Sequence, residues 1–282
     1  MSETLLVNEP TLRLGVFVLI LVVMAAWELA APRRRVEIPR LIRWTNNLAL
    51  VALDTAILRV VFPVLAVGVA VIAAERGWGV FNIFDMPVAF AVVISFLALD
   101  LAIYVQHVVF HYVPWLWRLH RMHHADLEFD VTTGIRFHPI EILLSMLIKM
   151  GVVVALGAPP VAVLVFEVVL NATSLFNHGN VRLPGKLDAL VRLVLVTPDM
   201  HRVHHSTIPR ETNSNFGFNL PWWDRLFGTY TAQPGAGHTG MRIGIEKFRT
   251  LRDLWLDRML IQPFVEGNAR SEDGRADEDQ RT

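Results

Sequence analysis

The sequence predicts an all-α integral membrane bundle topped by a helical cap rich in histidine. Three observations carry that prediction. Of 282 residues, 53% are hydrophobic and 18% charged, with a mean hydropathy of +0.42; such a balance belongs to chains that bury helices in lipid. The apolar residues gather in runs long enough to cross a bilayer. The histidines recur at helical spacing just beyond the ends of those runs. Formal net charge is zero, which gives no footprint for nucleic acid. Cysteine is absent, so disulfides, thiolate zinc sites and iron–sulfur clusters held by this chain are excluded.

Met1 to Arg13 reads as a short polar segment, residues 14–266 as one membrane domain, and 267–282 as a charged, disordered tail. Leu14 to Ala31 is an apolar run of spanning length. Glu3 and Glu9 precede it where a secretory signal would be basic, so a retained transmembrane helix is expected. Arg33, Arg34, Arg35, Arg40 and Arg43 follow at once. This is the densest basic loop beside any span and marks the cytoplasmic side.

Leu48 to Ala74 reads as the second span, with Asp54, Arg59 and Pro63 inside it. Met86 to Val105 reads as the third, returning the chain to the cytoplasmic side. Ile142 to Leu156 and Pro160 to Phe176 form an apolar hairpin broken at Gly157-Ala-Pro-Pro160, short enough to span or to re-enter. Arg182 to Pro198 reads as an interfacial helix, and Glu246 to Val265 as an amphipathic helix lying in the membrane surface. Pro221 to Tyr230 reads as a loop folded over the site, with Trp222 and Trp223 as interfacial anchors.

The chemistry gathers in His107-Val-Val-Phe-His111, His120-Arg-Met-His-His124 and His201-Arg-Val-His-His205. Residues at i, i+3 and i+4 share a helical face. Two HxxHH segments and one HxxxH in a chain of 11 histidines are hard to reach by packing alone. Imidazole binds metal when neutral and suits zinc, copper, iron and nickel. Carboxylates would offset the ions' charge and orient the rings. Asp100, two turns before His107, stands first among them; Asp130, Glu141, Asp199 and Asp224 lie near a box or in the loops after one. Asn213 and Asn215 read first as turn formers; Asn215 joins Asp100 and Asp130 as a candidate to support the site. His138, beside Pro139, reads as ligand or structural in equal measure, and His238, in a Gly-rich loop, as a surface residue.

HVVFH, HRMHH, TTGIRFHPIE, NHGN, HRVHH, NSNFG and WWDRLFGTY together resemble the sterol desaturase / fatty acid hydroxylase superfamily, over roughly Asp100 to Thr231. The resemblance implies an integral membrane di-iron oxygenase that hydroxylates or desaturates a lipid. Two iron ions and dioxygen would be its cofactor and co-substrate. His107, His111, His120, His123, His124, His201, His204 and His205 would be ligands, joined by His178 and with His138 the least secure. Electrons would come from a separate donor, a ferredoxin or small haem protein. Members with a fused haem domain differ from this chain. A histidine-rich metal transporter is the rival reading, but such proteins place their sites at mid-membrane in repeated halves, and no repeat of spans is evident here.

Overall fold

The computed structural model describes residues 8–266, so the charged tail at 267–282 lies outside the described residues. Among the described residues the chain is helical throughout, with one isolated bridge, Ser206 to Ile243, as its only extended pairing. The principal helices are α1 (Glu9–Ala30), α2 (Arg40–Val61), α3 (Ala66–Glu75), α4 (Val88–Tyr112), α5 (Pro114–His124), α6 (Pro139–Leu156), α7 (Pro160–Asn177), α8 (Gly185–Val191) and α9 (Pro198–His204).

Proline sets most of these boundaries. It occupies the first turn of α1, α5, α6, α7 and α9, where its missing N–H costs nothing. The residue before a proline is pushed to extended backbone; Val113 (φ −91°, ψ 115°) ends α4 and opens α5 for this reason. Pro63 breaks the second apolar run, so the predicted Leu48–Ala74 span is two helices, α2 and α3, with α2 starting earlier at Arg40. The hairpin turns at Gly157, whose left-handed φ of 68° caps α6. A Cβ there would meet the carbonyl oxygen of Trp78 at 2.5 Å.

Five segments are long and apolar enough to cross a membrane: α1, the stretch from Arg40 to Ile83, α4, α6 and α7. Both arms of the hairpin qualify, at 18 residues each. The loop holding Trp78 and Gly79 meets Gly157 at one end of the bundle. At the opposite end Arg33 and Arg34 bond Asn180, and Arg43 bonds Asp126. The basic loop, the α4–α5–α6 connections and the described residues after α7 therefore gather on one side. α3 enters the core through Ala66 and Ala70, which pack with Val153, Ala158, Val163 and Phe166 of the hairpin. Glu167 on α7 meets Lys149 on α6 at 2.6 Å and Arg13 on α1 at 3.0 Å, where lipid offers no other solvation.

The cap is tied down by buried charge. Arg43 is fully buried and bonds Asp126 at 2.7 and 2.8 Å, and also Asp130. Glu28 accepts the backbone N–H groups of Val131 and Asn180 at 3.0 and 3.1 Å. The segment from Glu246 to Val265, expected as one helix, is broken into 3-10 turns at Leu251–Leu254 and Gln262–Phe264 around a short helix, Leu256–Ile261. The Thr250–Asp253 capping box and Pro263 supply the breaks. Met259 in it packs on Leu50 and Met122, all fully buried.

Candidate metal centre

Four elements bring nine imidazoles together. His107 and His111 occupy the last two turns of α4, beyond the predicted Val105 end of that span. His120, His123 and His124 end α5; His201 and His204 end α9, with His205 at its C-cap; His178 is the C-cap of α7. Their nitrogens form two groups. His107, His111, His120, His124 and His204 make one, and His123, His178, His201 and His205 the other, each with one nitrogen per ring within 4.8 Å of all its fellows. All nine rings are buried.

Each HxxHH box is divided between the groups. From the first box His120 and His124 join the five and His123 the four; from the second His201 and His205 join the four and His204 the five. Helix geometry explains the split. With about 100° per residue, positions i and i+4 lie roughly 40° apart, whereas i+3 falls about 60° to the other side.

Six rings are fixed through Nδ1. His107, His204, His178 and His123 donate to the carbonyl oxygens of Phe216 (2.8 Å), Ser214 (2.7 Å), Ser174 (2.8 Å) and Arg136 (3.2 Å). His111 donates to Asn213 Oδ1 at 3.1 Å and His120 to Glu141 Oε1 at 2.7 Å. This leaves Nε2 facing inward. Nε2 pairs stand 3.1 to 3.2 Å apart for His107–His120, His123–His178 and His178–His201, while Nε2 of His111, His124, His204 and His205 has no partner. Burial, then the neighbouring imidazoles, hold His123, His124, His201, His204 and His205 well below the usual histidine range; burial takes His178 down to about 3. Burial thus favours the neutral imidazole in these six rings. Inward-facing imidazole nitrogens in groups of five and four, four of the nine Nε2 atoms without a partner, are donor sets fit for two metal ions.

Five of the residues singled out in the sequence stand outside both groups. His138 joins neither group: Nδ1 accepts the Ile140 N–H as the N-cap of α6, and Nε2 donates to the Leu260 carbonyl oxygen at 3.1 Å. Asp100 does not touch His107; it accepts Trp223 Nε1 at 2.8 Å and the Leu220 N–H at 3.3 Å. Asp130 instead serves Arg43, Trp44 and Thr132. Asn215, at φ 54°, bonds the carbonyls of Met200 and Thr231 and so braces the strand of chain that presents Ser214 and Phe216. His238 is no surface residue but 5% exposed.

The residues that do the bracing were partly visible. Glu141 stood among the nearby carboxylates. Asn213 read only as a turn former, and the four carbonyls carry no side-chain signature. Asp224 shapes the 216–217 turn by accepting both N–H groups at 2.8 Å, and burial lifts its carboxyl to about 6 against those bonds.

Residues 92–229 match the fatty acid hydroxylase family. The chain is 35% identical over 158 residues to the ornithine lipid hydroxylase OlsE of Rhizobium tropici, covering 56% of this chain and 46% of that protein. It is 28% identical over 191 residues to the alkylglycerol monooxygenase of Danio rerio, covering 67% and 41%. It is 30% identical over 136 residues to human cholesterol 25-hydroxylase, covering 47% and 48%. The aligned part thus spans less than half the length of each of these relatives. No solved structure matches the chain.

Proposed function

Residues 92–229 belong to the sterol desaturase / fatty acid hydroxylase superfamily, and from that premise we propose that this chain is an integral membrane hydroxylase of lipids that works with two iron ions. The observation that carries the reading is the pair of inward-facing histidine groups at one end of a bundle of apolar helices. His107, His111, His120, His124 and His204 hold one ion, and His123, His178, His201 and His205 the other. Two irons held there would supply dioxygen activation, in which two electrons and two protons let one oxygen atom enter a C–H bond while the other leaves as water. Those electrons come from a separate donor, a ferredoxin or small haem protein.

The chain's own residues supply orientation and seclusion. Glu141, Asn213 and the four carbonyls fix which nitrogen of each ring faces inward, so the donor set is organised before metal arrives. Phe129, Phe137, Phe216 and Phe218 stack on or edge against the rings and keep water from the centre. The lipid reaches it from the bilayer. A cavity of about 490 Å3, lined by Leu101, Ala102, Gln106, Phe110, Leu116 and Leu144 among others, opens between α4, α5 and α6. Phe110 forms its inner wall, with its ring 6.2 Å from that of His120. This cavity takes the hydrocarbon part of the substrate. The three relatives bear the names of an ornithine lipid, an alkylglycerol and cholesterol; an apolar body is what these share. The basic loop with Arg33, Arg34, Arg35, Arg40 and Arg43 supports a centre on the cytoplasmic side.

The test is lipid mass spectrometry of cells with and without the protein, joined to metal analysis of the purified chain. A lipid gaining the mass of one oxygen atom, with about two irons per chain, is expected. Loss of two hydrogens instead would make the activity desaturation. An unchanged lipid profile with weak, exchangeable metal would sink the enzyme reading.

A further inference from the structure

A second cavity, also about 490 Å3, lies at the histidine end of the molecule and takes no part in the centre. Asp199 in its wall belongs to α9, and His238, which the hydroxylase reading leaves unused, lines it too. Four guanidinium groups line it, those of Arg33, Arg182, Arg192 and Arg225, against two carboxylates, Asp188 and Asp199. The balance is four minus two, or +2.

The charge is not fully neutralised within the fold. Arg192 is 4% exposed. Its Nε meets Asp188 at 2.6 Å and Thr197 Oγ1 at 3.1 Å, and Nη1 donates to the Ala232 carbonyl oxygen at 2.8 Å. Its Nη2 is buried and has no hydrogen-bond partner. A buried guanidinium N–H left without an acceptor is costly, and an oxyanion such as a carboxylate or phosphate, whose paired oxygens match the Arg fork of donors, answers it.

The rim of the cavity is apolar. Leu193 lines it and is exposed; Leu190 and Val194 near it in the chain, and Leu226 and Phe227 directly after Arg225, are exposed too. Trp222 Nε1 donates to the Leu193 carbonyl oxygen at 2.6 Å and joins the two segments. Phe227 stacks on Tyr104 with centroids 5.5 Å apart, and Tyr104 lies in the membrane-crossing helix α4. The apolar rim is therefore continuous with a helix that faces lipid. An exposed apolar patch of this kind marks a lipid or protein contact, and its continuity with α4 makes it lipid.

We propose that this cavity binds the phosphodiester of an anionic phospholipid from the surrounding bilayer, through Arg192, Arg182 and Arg225, with the acyl chains lying over Leu193, Val194 and Phe227. Asp188 and Asp199 hold the arginines in place and limit the site to a ligand of low charge. The site is separate from the metal centre and stands independently of the hydroxylase reading.

The experiment uses the full chain in neutral detergent. Dioleoylphosphatidylglycerol and dioleoylphosphatidylcholine are titrated in mixed micelles, and bound lipid per chain is read by native mass spectrometry. The expected result is saturable binding of phosphatidylglycerol, about tenfold or more tighter than phosphatidylcholine. The Arg182→Gln/Arg225→Gln variant, altered only at exposed positions, should lose about tenfold or more, the worth of one or two charge-assisted hydrogen bonds, while keeping its metal content. Equal binding of the two lipids, or unchanged affinity in the variant, would overturn the proposal. Displacement by inorganic phosphate at the concentration that displaces nothing from the variant would show that the site reads free phosphate and not lipid.

Discussion

Among the described residues, Glu141 is the one carboxylate that bonds a clustered histidine, and replacing it should loosen the proposed iron without unfolding the chain. It sits in the first turn of α6, is 3% exposed, and accepts His120 Nδ1 at 2.7 Å. The bond fixes the His120 tautomer and makes Nε2 the better donor. Glu141→Gln keeps shape and acceptor but loses the charge. A charged acceptor contributes about 1.5–3 kcal/mol and a neutral one about 0.5–1.5, so roughly 1 kcal/mol is lost, about fivefold in metal retention. Glu141→Ala removes the bond and frees the ring, with a cost of about 10- to 100-fold. The assay dialyses each variant against a graded series of iron chelator and measures iron per chain beside lipid hydroxylation. Both should fall in the order wild type, Gln, Ala. An Ala variant with wild-type melting behaviour that keeps its iron through the whole series would refute the reasoning.

His138→Asn should leave iron content near wild type, because Asn restores the N-cap of α6 and no clustered nitrogen is lost; alanine at any of the nine clustered histidines should lower it, and metal analysis across the series decides. Arg43→Met should cost about 3–5 kcal/mol, read as a large drop in melting temperature, because Asp126 and Asp130 are left buried and unpaired. His238 is held down to about 4, chiefly by burial and against the pull of Asp199. Between its ordinary value near 6.5 and about 4 the unfolded chain takes a proton that the folded chain refuses, so stability falls as pH falls through that window. His238→Gln should flatten the melting temperature against pH there, and an unchanged slope would contradict the assignment.

The sequence by itself determined what is local. Apolar runs and proline positions marked most of the helices, because burial in lipid demands an unbroken helical backbone and proline tolerates only its first turn. The spacing of His120, His123, His124 and of His201, His204, His205 placed each trio on one face, because helical periodicity acts over four residues. What the tertiary structure alone decided lies between segments far apart in the chain. Which ring joins which group depends on how α4, α5, α7 and α9 cross. The groups that fix the rings are mostly carbonyl oxygens, at Ser174, Phe216, Ser214 and Arg136, and any residue type carries one. Asp130 was claimed by Arg43, 87 positions away. His138 looked like its neighbours in composition but was taken by a helix cap and by the Leu260 carbonyl. The site is thus spelled in side chains only where imidazole itself is needed. Its orientation is set by backbone, whose hydrogen bonds depend on position in space and leave no mark on residue type.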